Sequence, residues 1–457
     1  MHILTALRSL LFHSVGNILY RITSLVLLAL YADAVGADGI GKLEKFIALS
    51  LLLAPLVSLQ LQDATMSAMA KGGASPVGTA ASLLLASTAL FAIALFAFTL
   101  CTNSMPTHVA AALFAHVTTG VYWNFARNIL RTRGELRRLS LSESMQAFSS
   151  LLAAAGFIQA DQDFSSALTA AAVGNLVALF ISGTRDHPPP AKHAFIEQGR
   201  LLLSISSKLL PNMILWWGIE ASDRWIYSMH ASDTEIGIYS AGARIAGIGM
   251  AAALLVYQSW QTFGIHRVNA SPSGGNFFQK SFEWYSLATA LCFSAVISVA
   301  PKLCSIAFSP EFDDSAKYAV ALTPGLYLAG ASYFFGIIYF SAHSTAHAWK
   351  SGMAGMIASV CTNFALAPTI GIAGAPIASF LAFALVAGLR YRQGSKELGL
   401  ALTTANFYAP LAVLTAQALM TLASANPAII LAGIPAILAI NRRLVGSVLA
   451  EISLRIR

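Results

Sequence analysis

The sequence predicts an all-α polytopic membrane protein with 12–14 transmembrane helices, and three observations support this fold class. Of the 457 residues, 56% are hydrophobic and only 11% are charged, and the mean hydropathy is +0.67. Because a soluble domain carries about 25% charged residues, this chain could not cover a surface that faces water. Apolar runs of about 18 residues or more recur along its length, as membrane-spanning helices require. Segments such as Leu83–Leu100 lack the polar–apolar alternation of membrane β-strands.

Fourteen candidate spans can be placed along the chain. The first contains Arg21 and is long enough to cross a bilayer, so it is interpreted as helix 1 and not as a cleaved signal peptide. The polar stretch 184–203 predicts a division into an N-terminal six-helix lobe (1–200), a C-terminal six-helix lobe (201–400) and an additional helix pair with a cytoplasmic tail (401–457). The approximate spans are 10–32, 43–62, 79–101, 108–130, 139–160, 164–183, 204–228, 236–262, 281–303, 316–341, 350–370, 372–391, 404–424 and 426–441.

The distribution of charge predicts the orientation of the chain. If the N-terminus is cytoplasmic, most of the 28 lysines and arginines fall in cytoplasmic segments, including the cluster at 127–138 and also Arg390. The outer loops are acidic instead, which satisfies the positive-inside rule and places both termini in the cytoplasm. The net charge of +8 is therefore a topology signal, with membrane lipids as the expected contact. No basic patch with readout chemistry is visible, so nucleic acid is not an expected partner.

Two helices carry arginines well inside their spans. In helix 1, His13, Asn17 and Arg21 follow an i, i+4, i+8 spacing, which places them on one stripe of the helix. In helix 8, Arg244 lies several residues inside the span. Charged side chains in hydrocarbon are costly and usually face a wet cavity, so all four residues are candidate substrate-binding groups. The alternative for the stripe is a hydrogen-bonded seam between helices.

Two acidic residues share a face of predicted helix 7. Glu220 and Asp223 stand at i and i+3, near the predicted outer end of the span. They are candidates for binding a proton or a sodium ion, and the alternative is that they pair with Arg224 or with loop charges. The sequence favours neither interpretation.

Several chemistries are not expected from this chain. The four cysteines are scattered through apolar stretches without a CxxC pair, so they predict neither a disulfide framework nor a metal site. His343 and His347 have ligand spacing but lack the glutamate of an HExxH motif. No Walker A motif occurs, so ATP bound to this chain is not an expected energy source. We expect no metal and no cofactor.

Several segments carry a family resemblance. Ser222–Tyr227 (SDRWIY) and Ile236–Ala241 (IGIYSA) resemble the seventh and eighth helices of polysaccharide flippases, and Pro368–Ser379 (PTIGIAGAPIAS) and Pro310–Phe312 (PEF) fit the same pattern. The chain thus resembles the Wzx-type O-antigen and exopolysaccharide flippases of the multidrug/oligosaccharidyl-lipid/polysaccharide exporter superfamily. The extra C-terminal helix pair departs from the twelve helices common in this class and is closer to the peptidoglycan lipid flippase.

The resemblance implies two six-helix lobes around a central cationic cavity and alternating access. It implies an undecaprenyl-diphosphate-linked oligosaccharide as cargo in polysaccharide biosynthesis, carried across the bacterial inner membrane by a protein that is not an enzyme. A polysaccharide polymerase and a chain-length regulator are the further expected partners. Two alternatives stay open. A cation-coupled multidrug exporter of the same superfamily would need acids in the cavity, and a membrane polymerase, ligase or glycosyltransferase would need a sizeable outer loop for its catalytic groups.

Overall fold

The described part of the chain is helical throughout. The computed structural model describes residues 2–70, 75–103, 105–160, 163–183, 192–270, 274–341, 345–398, 407–423, 431–442 and 446. Within these ranges the regular elements are α-helices and short 3₁₀ turns, which confirms the predicted all-α class of a polytopic membrane protein. The chain divides into two compact units, Met1–Trp217 (unit 1) and Gly218–Arg457 (unit 2).

Unit 1 contains six complete helices and most of a seventh. The border between the units lies near the end of α7, about one span later than the lobe boundary predicted at residue 200. Helices α5 and α6 pack against each other, and α4 packs on α6 while α1 packs on α5. The bounds are α1 His2–Ser58, α2 Leu61–Ala70, α3 Val77–Thr102, α4 Thr107–Arg133, α5 Leu136–Ala160, α6 Ser165–Ser182 and α7 Lys192–Glu220.

The first two predicted spans lie in one helical segment, α1, which is interrupted at Gly36. This glycine has φ 66° and ψ −176°, a conformation that L side chains rarely adopt and that interrupts the helix. A straight helix of 57 residues would be about 85 Å long, far more than one bilayer crossing. Glycine at this position therefore allows two spans to follow one another with almost no loop.

Unit 2 contains the remaining helices. Its centre is aromatic: Phe278 and Phe282 of α10 pack edge-on against Phe334 of α11, with ring centroids 5.1 and 5.3 Å apart. The bounds are α8 Ser222–Tyr227, α9 Asp233–Ala270, α10 Gly274–Ala307, α11 Ser315–Ser341, α12 Thr345–Ile370, α13 Gly374–Leu398, α14 Ala409–Ala423 and α15 Gly433–Ile440, with 3₁₀ turns at Pro310–Phe312 and Gly371–Ala373.

Membrane-spanning character is strongest in five stretches of the described residues. These stretches are long and apolar enough to cross a bilayer, and they are Val77–Thr102, Ser165–Ser182, Asp233–Tyr257, Phe277–Ala307 and Trp349–Lys396. Only 11% of the most apolar part of α3 is buried by protein, so most of this helix is left to face lipid. The last predicted span, 426–441, falls partly outside the described residues, and its described part is the eight-residue helix α15.

Candidate functional site

The predicted stripe of helix 1 lies on α1. The backbone at His13, Asn17 and Arg21 is helical, and the side chains of all three lie outside the described residues. Their assignment to substrate binding stays a prediction.

Arg244 lies inside the span of α9. It is eleven residues beyond Asp233, about 17 Å along the helix axis, and its side chain is half-buried. The same part of α9 approaches α11 closely, since a Cβ added to Gly242 would lie 2.3 Å from the carbonyl oxygen of Ser315. Arg244 therefore lies two residues from a close contact between α9 and α11 in unit 2.

The predicted helix 7 is broken between its two acids. Helix α7 ends at Glu220, Ala221 leaves the helical conformation at φ −135°, and the six-residue helix α8 begins at Ser222. Glu220 and Asp223 therefore lie on different helices instead of on one helical face, and their surroundings differ.

Asp223 is buried, and both of its carboxylate oxygens accept hydrogen bonds. Oδ1 accepts from the backbone N–H and from Nη1 of Arg224, at 2.9 and 2.8 Å. Oδ2 accepts from the hydroxyl of Tyr239 at 2.6 Å. The Arg224 guanidinium also lies 5.4 Å from the centre of the Tyr239 ring, a cation–π geometry. This is the pairing with Arg224 that the sequence left open as the alternative to ion binding.

Glu220 lies beside the middle of α12. The residues before it pack on the middle of α12, because a Cβ on Gly218 would lie 2.4 Å from Met356 and a Cβ on Gly355 would lie 3.0 Å from Ile219. Its carboxylate accepts a hydrogen bond from the hydroxyl of Tyr333, and it is exposed. Glu220 thus lies beside the middle of α12, and its side chain is exposed.

Arg390 is a buried cation that the sequence did not identify. The charge count placed it with the cytoplasmic arginines, but α13 continues beyond it to Leu398 and the residue is only 5% exposed. Its Nη1 donates to the carbonyl oxygen of Ser332 at 2.8 Å, and its Nε donates to the hydroxyl of Ser351 at 3.1 Å. Gly336 makes room for this contact, since a Cβ there would lie 2.9 Å from Nη1.

Tyr257 and Tyr333 connect these groups. Their rings lie 6.5 Å apart, centroid to centroid, and Tyr333 directly follows Ser332, whose carbonyl oxygen accepts from Arg390. We call Glu220, Tyr257, Tyr333 and Arg390 the unit 2 polar cluster. It joins α7, α9, α11 and α13 and combines a carboxylate, two phenols and a guanidinium. In the sequence, the members of this cluster are recognisable only as polar residues inside apolar spans. Glu220 is the one member that the sequence predicted as a site residue.

Unit 1 has polar groups of its own, and they are extensively bonded to one another. Trp123 Nε1 donates to Gln146 at 3.0 Å, Gln146 Nε2 donates to Asn175 at 2.5 Å, and Asn175 Nδ2 donates to Thr119 at 3.3 Å. This chain of hydrogen bonds joins α4, α5 and α6. It satisfies buried side chains between helices, the arrangement expected of a seam.

The described residues contain no group of three or more histidine, cysteine, aspartate or glutamate residues that could hold a metal ion. In unit 2 the structure brings ionisable groups together in the unit 2 polar cluster and in the Asp223–Arg224 pair. In unit 1 it places Arg131 Nη2 3.9 Å from Glu143 Oε1. A carboxylate that accepts a phenol hydrogen bond and is open to water can exchange a proton or contact a cation, whereas a carboxylate engaged on both oxygens is a structural group.

Comparisons with solved structures show the fold. The chain is similar to the lipid II flippase MurJ in its inward closed conformation, with TM-score 0.63, 14% identity, and coverage of 95% of this chain and 100% of that one. It is similar to the MATE transporter VcmN of Vibrio cholerae, with TM-score 0.62, 14% identity, and coverage of 86% and 96%. An inward-facing multidrug resistance MATE family transporter of the MOP superfamily gives TM-score 0.60, 13% identity, and coverage of 84% and 94%.

The chain therefore shares its fold with these solved transporters. No model of a known protein family matches the chain, and no curated protein matches it. At 13–14% identity to the three solved structures, the choice between a lipid-linked and a drug-like cargo has to be argued from the side chains of this chain itself.

Proposed function

We propose that this protein is a flippase that moves an undecaprenyl-diphosphate-linked oligosaccharide from the cytoplasmic to the outer leaflet by alternating access. The observation that carries the proposal is Arg244, a half-buried guanidinium about 17 Å along a membrane-spanning helix. A diphosphate cannot cross hydrocarbon with its charges desolvated. A guanidinium replaces part of the lost hydration and binds phosphate oxygens through its two-pronged geometry.

A flippase of a lipid-linked cargo is among the solved structures that share this fold. The lipid II flippase structure matches 95% of this chain, whereas the two MATE transporters match 84% and 86%. In this proposal the sugar and diphosphate pass through a polar path inside the protein, and the polyprenyl tail stays in lipid.

The same proposal assigns roles to the other predicted residues. Arg21 would contact the diphosphate together with Arg244, and His13 and Asn17 would line the same stripe of α1. Glu220 would take up a proton or a cation as the carrier resets. The protein would act without catalysing a reaction, in the bacterial inner membrane with both termini in the cytoplasm, alongside a polysaccharide polymerase and a chain-length regulator.

The test is transport by the purified full-length protein in proteoliposomes, with a fluorescent undecaprenyl-diphosphate disaccharide as the cargo. We expect Arg21→Ala and Arg244→Ala each to reduce the rate at low cargo concentration by about ten- to a hundredfold. This equals the loss of one charge-assisted contact of roughly 1.5–3 kcal/mol. Lysine at either position should restore part of the rate, because it keeps the charge but loses the guanidinium geometry.

The matched control is Arg200→Ala, which removes an exposed arginine near the start of α7. It should leave transport unchanged. Unchanged transport in both Arg21→Ala and Arg244→Ala, at normal protein level, would show that the cationic mechanism is wrong.

A cation-coupled multidrug exporter is the second candidate, and Glu220 is the observation that favours it. An exposed carboxylate beside the middle of α12 in unit 2 could attract a cationic drug. Uptake of cationic dyes into inverted vesicles distinguishes the two functions. If dye uptake needs Glu220 and is insensitive to Arg244→Ala, the exporter function replaces the flippase.

A further inference from the structure

Unit 1 has an apolar groove on its outer surface, between α3, α4 and α6. Its volume is about 400 Å³. Leu85 and Leu176 stand at its margin and are 65% and 53% exposed, while Phe114 and Leu179 line its wall. Because α3 and α6 are both membrane-spanning stretches, the groove opens to the hydrocarbon of the bilayer.

The hydroxyl groups in the wall of this groove are engaged by the protein. Thr118 and Thr119 donate to carbonyl oxygens of their own helix, each at 2.7 Å. Thr88 donates to the carbonyl oxygen of Leu84, so the Tyr122 hydroxyl, 3.2 Å from Thr88 Oγ1, donates to Thr88. The wall therefore presents an apolar surface, which suits a hydrocarbon chain and not a sugar.

Exposed arginines lie near one end of the groove. Arg138 contacts the C-terminal end of α6, where a Cβ on Gly183 would lie 2.1 Å from its guanidinium. Gly183 follows Leu179, which lines the groove, by about one helical turn, or roughly 6 Å. Arg133 ends α4 and Arg137 lies in the first turn of α5, and both are exposed as well. We call residues 133–138 the α4–α5 turn.

The net charge of this turn is positive. Arg138 pairs with Glu135 at 3.1 Å, and both side chains are substantially exposed, so the pair contributes little stability and can open to a phosphate. Arg133 and Arg137 add two further positive charges within five residues of chain. The positive charge of the arginines suits a lipid phosphate. Their position at the end of the groove suits the headgroup layer of the nearer leaflet.

We propose that this face of unit 1 is a binding site for an anionic phospholipid, whose acyl chain lies in the groove and whose phosphate contacts the α4–α5 turn through Arg137 and Arg138. Under the predicted topology the lipid belongs to the cytoplasmic leaflet. Anionic lipid attracts juxtamembrane arginines by about 1 kcal/mol for each residue. The site is independent of the proposed transport function, because it uses neither Arg21, Arg244 nor Glu220.

The experiment is native mass spectrometry of the full-length protein in detergent, titrated with phosphatidylglycerol or with phosphatidylcholine of the same acyl chains. We expect tighter binding of phosphatidylglycerol than of phosphatidylcholine. Arg137→Ala/Arg138→Ala should weaken phosphatidylglycerol binding about tenfold or more and thereby remove the preference. Ala89→Trp, placed at the groove where Ala89 is exposed, should weaken binding of both lipids. Arg200→Ala/Arg442→Ala removes two exposed arginines elsewhere and should change neither.

Three results would overturn the site. They are an intact phosphatidylglycerol preference in the Arg137/Arg138 variant, unchanged lipid binding in Ala89→Trp, and displacement of both phospholipids by undecaprenyl phosphate, which would assign the groove to the cargo tail. If a variant fails to fold, the site can be mapped on the unaltered protein with a phosphatidylglycerol that carries a photo-crosslinker on its acyl chain. Its acyl label should attach within 85–92, 114–122 or 176–179 and not elsewhere.

Discussion

Two carboxylates three residues apart have different surroundings in this protein. Asp223 receives hydrogen bonds from Arg224 and Tyr239 on both of its oxygens and is buried. Glu220 receives one from Tyr333 and is exposed. A buried charge that loses its partner is strongly destabilising, whereas an exposed carboxylate can lose its charge without unfolding the protein. We infer that Asp223 supports the structure and that Glu220 is the candidate for coupling.

Substitution of the two acids should therefore have different consequences. Asp223→Asn leaves the Arg224 guanidinium without its counter-charge, and we expect a loss of about 3 kcal/mol in the free energy of unfolding. Glu220→Gln keeps a hydrogen-bond acceptor for Tyr333, so we expect near-normal stability and reduced transport. Thermal unfolding in detergent and proteoliposome transport measure the two effects.

A reversed pattern would contradict this assignment. Full transport by Glu220→Gln would remove its coupling role, and normal stability of Asp223→Asn would show that the Arg224 pair is dispensable. The Glu220→Gln/Asp223→Asn double variant is informative only if the second change leaves folded protein in the membrane.

At the scale of helices, two glycines of α9 have opposite surroundings. Gly242 lies where α9 meets the start of α11, and an added Cβ would lie 2.3 Å from the backbone oxygen of Ser315. Gly247, five residues later in the same helix, has nothing within 4 Å of an added Cβ. The two positions therefore provide a matched pair that separates helix–helix contact from helix propensity.

Gly242→Ala should force α9 and α11 apart, because the clash is with backbone and not with a flexible side chain. We expect it to destabilise unit 2 by about 1–3 kcal/mol. Gly247→Ala should be neutral or stabilise by up to about 1 kcal/mol, since alanine is the better helix former. Melting temperatures of the two variants in one detergent compare them directly. Equal effects at both positions would contradict the close α9–α11 packing.

Two helix interruptions differ in how the sequence signals them. The interruption of α1 depends on Gly36, which has a positive φ. The break between α7 and α8 occurs at Ala221, a residue type that does not predict a helix break. At the second break, α8 pairs Asp223 with Tyr239 of α9 and, like the end of α7, packs on α12.

At the scale of the whole molecule, the charge asymmetry predicts that both termini are cytoplasmic. Reporter fusions placed after Arg457 and within 131–138 should both report the cytoplasm, because lysines and arginines are retained on that side of the membrane. A fusion in the acidic loop at 310–314 should report the outer side. An outer-side signal from the 131–138 fusion would overturn the topology and would move the proposed phospholipid site to the opposite leaflet.

The amino-acid sequence alone determined the membrane class and the helical fold, because burial in lipid requires long apolar helices whatever their neighbours. It also singled out Arg244 and Glu220, since a charge in an apolar span is conspicuous. Only the tertiary structure showed that Asp223 is buried with both oxygens hydrogen-bonded and that Glu220 is exposed. It also revealed Arg390 as a buried cation. Those properties depend on partners such as Tyr239, 16 residues from Asp223, and Ser332, 58 residues from Arg390, which only folding brings into contact.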